Sequence, residues 1–431
     1  MSKLEFKELV PELRFSQFIG GTEWQKKPFN KLYSLKVTNS LSRDKLNYDD
    51  GIVKNIHYGD IHTKFSTLFD ITKENVPFIN TEISLDKVKE ESYCLERDMV
   101  FADASEDIDD VGKSIELINL NGEKLLSGLH TILARPKKND LVKGFGGYLF
   151  KSEVMRKQIQ KESQGAKVLG ISGSRISNIE VIYPINHDEQ QKIADCLSSM
   201  DDLITANTQK LESLKLYKQG LIQKFFPAEG KSSPELRFSE FKEYWEIKKL
   251  NALVHYENGK AHENDIVESG RYIVVNSKFI SSDGQVKKYT NNASLIASKD
   301  DILMVLSDVP NGRAIAKCLY VKEDNIYTVN QRICKLRSKG VNGQFLFYQL
   351  NRNAYFLGFD DGVKQTNLKK DDVLRCPLFI PNSAKEQEKI ADCLSSLDEL
   401  IDLQSKKNEA LNEYKKGLIQ GLFPNFKGCE K

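Results

Sequence analysis

The sequence predicts an α+β protein: two mixed α/β domains separated by two long helices that form an antiparallel coiled coil, with the halves related as a pseudo-twofold internal repeat. Three observations carry this. EQQKIADCLSS at residues 189–199 recurs as EQEKIADCLSS at 386–396, and internal repetition is read first because it sets the architecture. PELRFSQF at 11–18 recurs as PELRFSEF at 234–241. Between each matched start and matched end lies a middle that differs in sequence and is longer in the first half. Surface segments absorb such change where packed elements do not. The chain therefore reads as one scaffold duplicated and carrying two different inserts.

The expected boundaries are a first domain at 1–187, a first long helix at 188–227, a second domain at 228–385, a second long helix at 386–424 and a tail at 425–431. A chain of 431 residues with 40% hydrophobic and 29% charged residues has room for two such domains, each with its own core. No apolar run reaches the length of a membrane span, and MSKLEFKELV at the start is not a signal peptide, so a cytoplasmic protein is expected. Seven cysteines without a C-x-x-C pair argue against a disulfide framework and against a zinc cluster. A net charge of +2 neither requires nor forbids a nucleic-acid partner.

The helices follow from periodicity. Leu197, Met200, Ile204, Asn207, Leu211, Leu214, Lys218 and Leu221 recur at alternating three- and four-residue steps, and the second copy gives Leu394, Leu397, Ile401, Gln404, Asn408, Leu411, Lys415 and Leu418. Pro227 and Pro424 close both segments, since proline cannot donate into a helix. The 36 residues of 189–224 make a rod of about 54 Å, longer than an ordinary globular helix, which favours a coiled coil within the chain. Antiparallel packing leaves one insert at each end of the rod. Asn207 and Gln404 are then equivalent polar residues near the middle that fix register.

In the divergent middles, RYIVVNSKFI at 271–280 and DDILMVLSD at 300–308 have the apolar, β-branched composition of strands. RDMVFAD and DDILMVLSD are matched, each followed by a glycine and a cation, Gly112-Lys113 and Gly312-Arg313, and then by a strand ending in a cation, TILARPK and RICKLRSK. Gly165 and Gly362 keep the repeat register and carry Lys167 and Lys364 two residues on.

Catalytic motifs do not appear: no methyltransferase signature, no phosphate loop, no H-E-x-x-H and no nucleophile elbow. His57 and His62 fall off the spacing of helical metal ligands. What remains are polar clusters suited to nucleic acid. VKNIHYGDIHTKF at 53–65 interleaves Lys54, His57, Tyr58, His62 and Lys64, and TVNQRICKLRSKG at 328–340 offers Asn330, Gln331, Arg332 and Arg337. Asparagine and glutamine pair with adenine edges, arginine with guanine, and lysine mostly with phosphate. The cations Lys113, Lys167, Arg313 and Lys364 complete the candidate set. Taken singly, each of these residues also fits an ordinary solvated surface.

PELRF opening both halves, EQQKIADCLSSMDDLI and EQEKIADCLSSLDELI closing both middles, and YGDIHTKF and SDVPNGRAIAKC within them resemble the specificity subunit of type I restriction–modification enzymes over essentially the full length. The resemblance implies a non-catalytic reader of double-stranded DNA, with two target-recognition domains and an antiparallel pair of helices. It also implies two methyltransferase subunits that bind S-adenosylmethionine and two restriction subunits that use ATP and Mg, with no cofactor in this chain. A bipartite, asymmetric DNA target is then expected. Two other classes remain compatible with the residues: a fused modification–restriction enzyme lacking its catalytic part, and a coiled-coil adaptor with two protein-binding heads, which the near-neutral charge suits.

Overall fold

The computed structural model describes residues 10–165, 167–228, 230–262 and 264–425, so most of the expected tail lies outside the described residues. The chain divides into two compact units, one of residues 1–208 with 406–431 and the other of 209–405. Each long helix contributes to both. The first helix runs His187–Phe225 and the second Ala384–Leu422, each ending two residues before the proline that the sequence marks as its stop. Every stripe position is buried or half-buried, from Leu197 to Leu221 and from Leu394 to Leu418, with Asn207, Gln404 and Asn408 among the buried ones. No helix among the described residues is long and apolar enough to cross a membrane.

In the first unit the central sheet has five strands in the order Tyr33–Lys36, Thr131–Pro136, Met99–Ala102, Ser114–Asn119 and Leu68–Asp70. Side chains of a strand alternate between its faces. Met99 and Phe101 accordingly enter a core with Trp24, Phe145, Ile193, Leu197 and Phe423, while Val100 and Ala102 enter a second core with Ile56, Ile61 and Phe69. The strand is buried on both sides, which is why RDMVFAD reads as a continuous apolar run. A smaller sheet pairs Val53–Ile56 in parallel with Lys124–Ser127.

The second unit repeats this plan with different residues. Its sheet runs Val254–Asn258, Ile333–Ser338, Ile302–Val305 and Cys318–Tyr320. Ile302 and Met304 face a core with Trp245, Phe345, Ile390 and Leu394, and Leu303 and Val305 face a core with Val275 and Phe279. Tyr272–Val275 pairs in parallel with Tyr327–Val329. The counterpart of Leu68–Asp70 is missing from this sheet, so that strand is one use of the extra length of the first middle.

The repeated letters lock each long helix onto its unit. Arg14 grips Glu189 with two guanidinium nitrogens, both at 2.8 Å, and the Trp24 indole N–H donates to the same carboxylate at 3.3 Å. In the other unit Arg237 grips Glu386 at 2.6 and 2.9 Å, and Trp245 donates at 3.2 Å. Both glutamates are buried, where a carboxylate requires such pairing. The adjacent Gln190 and Gln387 donate to the carbonyls of Pro184 and Pro381, each at 2.8 Å. They accept from the backbone N–H groups of Val142 and Asn342 at 2.8 and 2.9 Å. The PELRF arginine and the E-Q pair of the helix thus recur because they touch one another.

Two stripe positions hold lysine, and the structure gives the reason. In the first unit Lys415 pairs with Asp201, whose carboxylate also accepts from the Tyr148 hydroxyl at 2.7 Å. In the second, Lys218 pairs with Asp398, which accepts from Tyr348 at 2.6 Å. The Asn408 amide reaches the Thr208 hydroxyl at 3.4 Å within the first unit. Pairing 201 with 415 and 208 with 408 runs one helix against the other within that unit.

Candidate nucleic-acid interface

In the first unit the candidate residues gather on the short helix Tyr58–Thr63, which follows the strand Val53–Ile56. His57 caps this helix, its Nδ1 accepting from the Gly59 N–H at 3.1 Å. Burial and the nearby Arg43 guanidinium hold the His57 pKa below its ordinary value, in the direction that favours the accepting, neutral ring. The Tyr58 ring lies among three imidazoles, with centroids 4.7 Å from His57, 6.1 Å from His62 and 5.3 Å from His130. His130 Nδ1 sits 3.1 Å from Asp103, and His62 Nε2 is 3.0 Å from the Ala104 carbonyl.

Asp60 fastens the corner from beneath. Its carboxylate is 99% buried, yet Arg43 reaches it at 2.8 Å and Lys64 at 3.0 Å. Burial acts to raise its pKa, but the hydrogen bonds from these two cations outweigh it and the net shift is downward. Lys64 also donates to the Tyr48 hydroxyl at 3.1 Å and remains exposed.

The structure separates the predicted cations by what they already hold. Lys54 forms an ion pair with Glu123 at 2.6 Å over the Phe78 ring, with its side chain 15% exposed, so its ammonium is engaged inside the unit rather than offered to a phosphate. Lys113 donates to the His62 carbonyl at 2.7 Å and lies 3.4 Å from Asp110, bracing the short helix. Arg337 is held by the buried Asp301 at 2.7 Å, as Arg135 is by Asp98 at 2.8 Å. The matched strand-end cations are therefore each paired with a buried aspartate, although Arg337 itself remains exposed. Lys167, Arg313 and Lys364 are exposed.

In the second unit Asn330, Gln331 and Arg332 line one pocket of about 280 Å³ together with Asn276, Ser277 and Lys278. Gln331 and Arg332 are exposed, and Asn330 is half-buried. Asn276 caps the short helix Ser277–Ser281 by accepting from the Phe279 N–H at 2.8 Å, the role that His57 has in the first unit.

Backbone hydrogen bonds show that these two corners are the same place in the fold. Gly128 N–H donates to the Ile56 carbonyl at 2.9 Å, and Asn330 N–H donates to Val275 at 3.1 Å. Asp103 N–H donates to the His130 carbonyl at 3.0 Å, and Leu306 N–H to Arg332 at 2.9 Å. His130 thus corresponds to Arg332, and His57 to Asn276. Two clusters that share no letters occupy equivalent turns. The same bonds correct one sequence match: Gly112-Lys113 corresponds to Ala316-Lys317 and not to Gly312-Arg313. Ala102 N–H donates to Lys113 at 2.8 Å where Val305 N–H donates to Lys317 at 3.0 Å.

A model of the type I restriction modification DNA specificity domain matches residues 55–216 and again 242–413. The chain belongs to this family. Each match spans one of the two corners and part of a long helix. Among curated relatives, the type I restriction enzyme MjaVIII specificity subunit of Methanocaldococcus jannaschii is 26% identical over 314 residues, covering 68% of this chain and 72% of that protein. The putative MjaX specificity subunit of the same organism is 23% identical over 402 residues, covering 90% and 88%. The solved S subunit of a type I restriction–modification system from M. genitalium shares the fold, with a TM-score of 0.59 at 15% identity over 96% of this chain and 99% of its own.

Sequence reasoning missed His130, Asn276 and Lys278, which complete the two corners. It also missed Gln365, whose amide donates to Ser307 at 2.6 Å beside the Arg332 turn. Only the hydrogen-bond frame brings these residues to the sites, and no spacing in the chain announces it.

Proposed function

We propose that the two units read the two unlike halves of a bipartite, asymmetric duplex-DNA site. The chain is the non-catalytic recognition subunit of a type I restriction–modification system. The observation that carries the proposal is the pair of equivalent corners, one built of phenol and imidazole groups and the other of amides and a guanidinium. A scaffold that keeps its frame and changes only the groups at one turn suits readout of different bases. Arg332 is assigned to a guanine edge and Asn330 or Gln331 to adenine, while Tyr58 and His130 present hydrogen-bonding and stacking groups of the first reader. Lys64, Lys167, Arg313 and Lys364 are assigned to phosphates, which fix register and carry no sequence information.

The stripes from Leu197 and Leu394 onward are proposed to form an antiparallel coiled coil. Its support is the opposed pairing of Asp201 with Lys415 and of Thr208 with Asn408. Methyl transfer and cleavage are proposed to lie with two methyltransferase subunits carrying S-adenosylmethionine and two ATP- and Mg-dependent restriction subunits, all acting in the cytoplasm.

The test is to map adenine methylation genome-wide, with and without this reading frame, in cells that hold the methyltransferase partner. The expected result is one motif of two unlike short sequences separated by a fixed gap, lost with the reading frame. A continuous or palindromic motif overturns the proposal.

A further inference from the structure

Within the first unit a groove of about 610 Å³ is lined by Lys113, Lys151, Arg156, Lys157, Lys415 and Lys416. Three carboxylates share it, Asp109, Asp110 and Glu153, but they are already in use. Asp110 lies 3.4 Å from Lys113, Glu153 pairs with Lys157, and Asp109 accepts from Gln160 at 3.0 Å. Lys415 is held by Asp201. Of the remaining three, Lys416 lies exposed at the rim, and two have neutral hydrogen-bond partners only. Lys151 donates to the Thr67 hydroxyl. Arg156 spends Nη2 on the carbonyls of Asp109 and Val111 at 3.0 and 2.6 Å, and its Nη1 is buried with no hydrogen-bond partner.

A buried donor with no acceptor carries a penalty that a bound acceptor removes, and a guanidinium beside an ammonium matches a tetrahedral oxyanion. The local field agrees: burial and then the neighbouring Lys415, with Lys113 and Arg156 adding and the Asp201 carboxylate opposing, hold the Lys151 pKa down to about 8. Among the described residues of the second unit that place is filled differently: counted from the matched Tyr148 and Tyr348, Asn351 stands where Lys151 does, and its side chain accepts from the Cys318 N–H at 2.9 Å.

We propose that Lys151 and Arg156 form a phosphate-binding site in the first unit alone, the Arg156 Nη1 and the Lys151 ammonium being its donors. The phosphate is either a free anion or a backbone phosphate of the DNA. Only the second source rests on the DNA-reading proposal. Lys113 lines the groove and donates to the His62 carbonyl, so occupancy reaches the first reading corner through one side chain.

The experiment measures the melting temperature of the full chain against inorganic phosphate at constant ionic strength, balanced with chloride. A ligand that binds only the native state raises its stability by mass action. The wild type should melt higher in phosphate than in chloride. Lys151→Met should lose that increment, and Lys416→Gln at the exposed rim should weaken phosphate only a few-fold. The DNA arm compares the salt dependence of duplex binding. A slope reduced by about one in Lys151→Met assigns the site to a backbone phosphate, whereas an unchanged slope with a retained phosphate effect assigns it to the free anion. Equal melting of the wild type in phosphate and chloride, together with an unchanged slope, overturns the proposal. It falls equally if neither responds while Lys151→Met weakens binding of the methyltransferase partner, which makes the groove a protein dock. The wild-type measurement stands even where Lys151→Met does not fold.

Discussion

The corner around Tyr58 and the corner around Arg332 share a backbone and differ in nearly every side chain. Each is a helix cap following a parallel strand, closed by a turn whose carbonyl accepts from the residue just past a strand of the central sheet. By contrast, the arginine–glutamate–tryptophan knots at Arg14 and Arg237 are the same in both units to the atom. Parts that touch only the protein have stayed alike after duplication, and parts that face outward have diverged. The proposed assignment of DNA readout to the corners rests on that contrast.

The largest expected effect tests the shared part. Arg14→Ala and Arg237→Ala each leave a buried glutamate unpaired, and each should destabilise its unit by about 3–5 kcal/mol. Denaturant unfolding of both variants checks this. Near-equal losses support one duplicated scaffold, and a large loss in only one breaks the equivalence.

The next effect distinguishes the sheets. Glu116 is buried in the first unit, where burial raises its pKa to about 7 although the Gly144 and Gly147 N–H groups donate to it at 2.7 Å each. Its counterpart by sheet register is Tyr320. The folded state holds a proton that the unfolded state has already released above about 4.5. Stability from this group is therefore complete below that pH and is lost as pH rises through 7, by on the order of 3 kcal/mol. Glu116→Gln should flatten this slope in the first unit, as read by hydrogen exchange between pH 5 and 8. An unchanged slope removes Glu116 as its source.

Third comes the reading itself. Arg332→Ala should cost about 1–3 kcal/mol in DNA affinity and relax one base of one half-site, while Tyr58→Ala should alter the other half-site only. Selection of bound sequences from a randomised duplex library measures both. If the two variants relax the same half-site, the corners are not independent readers.

The smallest effect concerns the turn that the sequence aligned wrongly. Gly112 has φ of +67° and Ala316, at the equivalent place, has φ of +54°. An L-residue there carries a strain of about 1–2 kcal/mol, so Ala316→Gly should raise stability slightly, by about 1 kcal/mol or less once backbone entropy is subtracted. The reverse change is not its mirror image. A Cβ on Gly112 meets the Ile159 Cγ2 at 2.5 Å, so Gly112→Ala should destabilise. Thermal melts of both variants give the two signs.

These four cases also mark what the sequence made legible. The long helices, the repeat and the buried strands were readable, because Leu197, Leu394 and the alternating faces of Met99–Ala102 are periodic. The residues of both corners were readable as polar clusters, but their equivalence was not, because it lies in backbone amides that any residue supplies. Ala316 in a left-handed turn hid the match to Gly112 behind the more obvious Gly312. Lys54 and Lys113 looked like free surface cations because Glu123, which pairs with the one, and the His62 carbonyl, which accepts from the other, are far away in the chain. Tyr148 and Tyr348 reach equivalent aspartates from positions one helical turn apart in the repeat register, a shift that an ungapped alignment conceals.

The central claim, that the two units read separate half-sites, is tested most directly by exchanging residues 234–385 for the equivalent segment of a relative with a different target. The exchanged chain is expressed with the methyltransferase partner, and its methylated sites are sequenced. The expected motif has one half-site replaced by the relative's and the other retained unchanged. A motif altered in both halves, or in neither, contradicts it.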